Sequence, residues 1–120
     1  MKRLQEIKTI DFTDKLDLSG WTCTDAVCQV IEGIGHFHIH FERTGTDHSG
    51  GFKYVDGMPD ELRPQKESKH CFTACEHNSS STIVVGGFLD SKNFGLSVQS
   101  STSTTEYTDI IDINMIYEVA

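Results

Sequence analysis

No apolar run in the chain approaches the roughly 20 residues that cross a bilayer as a helix, so no membrane insertion is expected. Met1-Lys2-Arg3 is followed by Leu4-Gln5-Glu6-Ile7-Lys8, which supplies no signal-peptide apolar segment. Basic charge is short as well: ten Lys and Arg stand against eighteen Asp and Glu, a net charge of −8. Non-specific nucleic-acid binding depends on Lys and Arg neutralising phosphates, and here they are scattered from Lys2 to Lys92 without forming a stripe. That argues against a nucleic-acid partner. Helix signals are sparse and no internal repeat is found. The two prolines, Pro59 and Pro64, are confined to one short segment.

What is present suits a single small domain. The chain has 120 residues, and 37% of them are hydrophobic, including seven Phe, three Tyr and one Trp. A domain of this size buries enough to fold without a metal, cofactor or disulfide, and no cofactor is expected. Four cysteines fall in two close pairs. Cys71 and Cys75, four apart in a strand-like run, would share a face about 13 Å apart, too far for a mutual bridge without a bulge. Cys23 and Cys28 would bridge only by facing each other across a tight hairpin, against the ordinary alternative of free, buried thiols.

Periodicity is two nearly everywhere. In His36-Phe37-His38-Ile39-His40-Phe41-Glu42-Arg43, Phe37, Ile39 and Phe41 should face the core, with His36, His38, His40 and Glu42 outward. Further strands are expected at Phe52 to Val55, ended by the turn Asp56-Gly57, and at His70 to Glu76, Thr82 to Leu89 and Phe94 to Val98. The last is expected from about Asp109 to Val119, with Ile111, Ile113, Met115, Tyr117 and Val119 on one face and Ile110 and Ile116 on the other. Gly86-Gly87 within a strand suggests a bulge or a close backbone approach. Polar loops at 44–51 and 100–105 separate strands. Short strands at this spacing indicate a sandwich or barrel. Residues 1–15, where Leu4, Ile7 and Ile10 suit a helical turn or a lead-in strand, read as an N-terminal connector, and 16–120 as the β domain.

In order along the chain come Gly20-Trp21-Thr22, Phe37 to Phe41, Phe52 to Val55 and Met58-Pro59-Asp60-Glu61-Leu62-Arg63-Pro64. Ile83-Val84-Val85, the turn Asp90 to Asn93, Phe94 to Val98 and Ile111 to Tyr117 follow. Over residues 16 to 120 this series resembles the C-terminal head domains of phage tail fibres and baseplate receptor-binding proteins. Its sharpest motif is the Pro59…Arg63-Pro64 element. The sequence departs from that family in its four Cys, its six His and a Met where Leu usually precedes the first Pro. The resemblance implies an antiparallel β-sandwich of jelly-roll type, assembled as a homotrimer at a virion tail tip and recognising a host-surface glycan. Independently of it, Pro64 pushes Arg63 to extended backbone and donates no hydrogen bond. The segment should therefore be a rigid crossover between sheets, with Leu62 tucked inward and Arg63 structural.

Sugar sites combine an aromatic platform with planar polar groups supplied by loops. Trp21, Tyr54 and Tyr107, with Asp47, His48, Asn93 and Glu106, are the ligand-binding candidates, although Trp21 and Tyr54 also suit a core. His36, His38 and His40 offer metal-ligating nitrogens at strand spacing. One strand cannot close a tetrahedral site, so a second strand or symmetry mates would have to contribute; otherwise the face is solvated or an interface. His70-Cys71…Cys75-x-His77 is a second possible ligand cluster, with Cys71 and Cys75 expected instead in the core. No Gly-x-Ser-x-Gly elbow is present, and the carboxylate pairs Asp60/Glu61 and Asp109/Asp112 sit at exposed-looking positions. Enzymatic activity is not expected. A purely structural virion module and a cupin-like metal-binding protein built on the histidine strand are the alternatives.

Overall fold

The computed structural model describes residues 6–18, 20–43, 52–66, 70–77, 82–90, 94–99 and 110–119. Among them, eight strands account for nearly all regular structure: β1 (Ile7–Asp11), β2 (Thr22–Ile31), β3 (Ile34–Glu42), β4 (Phe52–Val55), β5 (His70–His77), β6 (Thr82–Asp90), β7 (Gly95–Gln99) and β8 (Ile110–Glu118). Among the described residues the one helical piece is a 3₁₀ turn at Asp60–Leu62. The all-β class expected from the period-two pattern is the class found.

All pairings are antiparallel and run in the order β1-β2-β3-β8-β5-β6-β7-β4. The pairs are nested: β5 with β6, β4 with β7, β3 with β8. β8 also pairs with β5, and β6 with β7. A short bridge between Asp17 and Asp56 joins the segments that follow the two edge strands β1 and β4.

β3 follows its alternation: Phe37, Ile39 and Phe41 are buried, while His36 and Glu42 are exposed and His38 and His40 half-buried. It leaves β2 through the two-residue turn Glu32-Gly33, where both residues have positive φ, 50° and 79°. That is the hairpin turn whose twist matches the flanking strands. On β8, Ile111, Ile113, Met115 and Tyr117 point inward and Ile116 outward, as the pattern predicts.

β2 is the strand that the pattern conceals. Its register against β3 shifts between Cys23, opposite Phe41, and Asp25, opposite His40. The extra residue is a bulge that switches the inward phase. Before it the half-buried Cys23 packs on the core, and after it Ala26 and Cys28 are buried. Cys23 and Cys28 therefore lie along one strand, not across a hairpin, and all four cysteines are free. On β5, Phe72 and Ala74 take the inward positions, which puts Cys71, exposed, and Cys75, half-buried, on the outer face and corrects the expectation of core thiols. Gly86 and Gly87 pair with β5 and β7 without a register shift, so no bulge lies there.

The stretch read as a connector takes its strand form. Ile7–Asp11 pairs with β2, and Ile10 and Phe12 enter the core. Thr13 fixes the corner that follows: its hydroxyl donates to the Asp11 carboxylate (2.7 Å) and accepts from the Ala26 amide (2.9 Å).

The proline segment packs against the end of β8. Leu62 is fully buried, and its carbonyl accepts the Tyr117 hydroxyl at 2.5 Å. Pro64 bridges to Val119, and the Gln65 amide donates to the Glu118 carbonyl. Arg63 lies over the Phe94 ring, 4.9 Å from its centroid, and donates to Asp60 at 3.1 Å. Leu62 points inward, as expected.

Candidate functional site

The outward side chains of β2, β3, β8 and β5 bring chemistry together that is distant in sequence. Asp25, His40, Asp112 and Cys75 fall in one register row across these four strands. Val27, His38 and Asn114 form the next row. A period of two on each strand guarantees that every member of a row shares a face once register is set.

Two imidazoles and three carboxylates interlock on this face. His38 Nδ1 lies 3.2 Å from Asp25 Oδ2, and its Nε2 is 3.6 Å from Asp112 Oδ1. His40 Nδ1 bonds the same Asp112 oxygen at 2.5 Å, and its Nε2 sits 3.1 Å from Glu42 Oε1. The Thr24 hydroxyl donates to the His40 carbonyl at 3.4 Å, fastening the bulge to β3. Burial alone would lower the His40 pKa, since desolvation disfavours charge. Hydrogen bonds to Asp112 and Glu42, reinforced by the two carboxylate charges, outweigh it and hold the ring above its ordinary value. A neutral imidazole has one N–H, whereas the imidazolium has two; only the charged form satisfies both carboxylates.

Trp21 and Arg43 lie next to this cluster in sequence, immediately before β2 and immediately after β3. Trp21 is half-buried against the core and carries the Arg43 guanidinium 4.5 Å above its ring, so its platform is already shared with a cation. Tyr54 is half-buried as well, and its ring lies where a Cβ at Gly95 would project. Neither stands as an open aromatic shelf. Asp47, His48, Asn93, Glu106 and Tyr107 lie outside the described residues, as does the carboxylate Asp109. Of the aromatic candidates, Trp21 packs against the core and Arg43, and Tyr54 against Gly95; neither joins the histidine face.

The metal expectation named His36, His38 and His40. His36 is exposed, and the ring nitrogens of His38 and His40 are engaged by carboxylates. Among the described residues, no three His, Cys, Asp or Glu side chains group so as to hold a metal ion. Within one chain the His38 and His40 ring nitrogens face carboxylates instead.

Sequence reasoning did not find Asp25, Arg43 or the pairing of Asp112 with His40. Asp25 sits beside the bulge that hides β2, and Asp112 meets His40 only through the non-local β3–β8 register. The outward phase of Asp112 on its own strand was readable, and it was the one available signal. Compared with protein-family models, with curated proteins and with solved structures, the chain gives no match.

Proposed function

We propose that the chain is a non-enzymatic recognition module of the phage fibre-head kind, which binds a host-surface glycan through the outer face of β2, β3 and β8. The observation that carries this reading is the row Asp25–His40–Asp112, flanked by His38 and Glu42. Carboxylates and imidazoles are planar, bidentate hydrogen-bonding groups, the kind that orient sugar hydroxyls. Here they stand on rigid paired strands, which hold a site more firmly than loops do.

The fold of the proposal is a jelly-roll β-sandwich. Its support is the nesting of β5/β6 within β4/β7 within β3/β8, which is how a rolled long hairpin is wired. The assembly of the proposal is a homotrimer at a virion tail tip. Three copies raise avidity for a weak ligand without any tighter single site. Ile7, Ile34 and Ile116, respectively 55%, 43% and 70% exposed, offer the apolar surface that assembly would cover.

A glycan array probed with the wild-type chain and with Asp25→Asn and Glu42→Gln, its solution mass measured by light scattering, tests the proposal. Trimeric mass with a glycan signal that both variants weaken supports it. A trimer without any signal favours the purely structural virion module. A monomer without signal removes both readings.

A further inference from the structure

We propose that His40 is a proton-operated link between β3 and β8 that decides whether the carboxylates of the outer face are tied to each other or released to solvent and ligand. Charged, the ring closes two ion pairs, to Asp112 across the strand boundary and to Glu42 along its own strand. Neutral, it keeps one N–H, and one of the two carboxylates then faces a nitrogen lone pair. That contact is repulsive and opens. The backbone ladder of β3 and β8 remains, so the change is one of side chains on an intact sheet. The link is independent of what the face binds.

The groups around His40 all bear on this change. Asp25 stands opposite on β2. His36, His38 and Glu42 share β3's outward side, and Arg43 follows next in the chain. Asp112 stands opposite on β8, with Asn114 one outward position away. Cys75 lies beyond Asp112 on β5, and His77 occupies the β5 position opposite Ile110. Asp11 of β1 lies opposite Val27, itself opposite His38. Asp25, Glu42 and Asp112 thus gather around two imidazoles, so loss of a proton from His40 leaves the patch with a deficit of positive charge.

His40 titrates above its ordinary value in the folded chain, and near 6.5 when unfolded. A group of this kind contributes stability that is fully present below about pH 6.5 and lost as pH rises through the folded value. Above that window the carboxylates Asp112 and Glu42 lose their shared partner.

Histidine-resolved NMR titration of wild type, Asp112→Asn and Glu42→Gln, with melting temperatures from about pH 6 to pH 9, tests the link. The expected result is a wild-type His40 midpoint above about 6.5 that moves down in both variants. Wild-type melting temperature should fall across the window more steeply than that of His40→Gln. If His40→Gln does not fold, Asp112→Asn takes its place in the melting comparison. A wild-type midpoint at or below about 6.5, or one that neither variant moves, overturns the proposal. So does a melting profile with the same slope in wild type and variant.

Discussion

Asp17 and Asp56 exchange backbone hydrogen bonds, with the Asp17 amide donating to the Asp56 carbonyl at 2.8 Å and the Asp56 amide returning at 3.0 Å. They lie just past β1 and β4, the two ends of the strand order, and so join edges that would otherwise stand apart. Gly57 makes this approach feasible. Its φ is +96°, and a Cβ there would overlap the Lys15 carbonyl. Gly57→Ala should therefore destabilise by roughly 1–3 kcal/mol, combining strained backbone with overpacking. Urea unfolding measures that loss. Amide exchange at Asp17 and Asp56 should be slow in wild type and fast in the variant.

Tyr117 ties β8 to the proline segment. Its ring meets Phe37 edge to face, centroids 5.6 Å apart, and its hydroxyl satisfies the Leu62 carbonyl. Burial of the phenol raises its pKa, so the hydroxyl stays a donor throughout the neutral range. Tyr117→Phe keeps the packing and orphans a buried carbonyl, which costs about 1–3 kcal/mol. Leu62→Ala leaves a cavity and should cost about 2–5 kcal/mol. Equal midpoints for wild type and Tyr117→Phe in denaturant would remove the tie.

The Tyr54 ring of β4 lies against Gly95 of β7. A methyl at residue 95 would occupy the place of the tyrosine ring. Gly95→Ala should cost about 1–3 kcal/mol through overpacking. The cost should shrink in a Tyr54→Leu background, where the ring is gone. A double-mutant cycle gives the coupling directly, and additivity would show that the two do not meet.

The four thiols should separate by position. Burial pushes the Cys23 and Cys28 thiols up to about 11, and the Asp25 and Asp11 charges add to the effect at Cys23. The thiolate is the reacting form, so both should be slow towards a disulfide reagent at pH 8 in the native state. Cys71, exposed on β5, should react first. Four equivalents should appear on unfolding without reductant, and fewer would mean a disulfide.

The strand that needed only its own residues to be read is β3, whose Phe37, Ile39 and Phe41 alternate with histidines without interruption. β8 was readable for the same reason, down to the outward Ile116. β2 was not, because the bulge at Cys23/Asp25 breaks the period and its inward residues, Ala26 and Cys28, are small. The outward histidines were legible as a face, but their partners were not. Asp25 and Asp112 meet His40 through strand register, which is a property of pairs of strands and is written in neither alone. The loop residues chosen as sugar ligands rested on composition, whereas the cluster that formed rests on strands.

The most direct test of the binding face is amide-shift mapping by NMR while host-surface polysaccharide fragments are added. The account predicts shifts that saturate and concentrate at Asp25, His38, His40, Glu42 and Asp112. Saturating shifts confined to other surfaces, or none with a panel of such fragments, would contradict it.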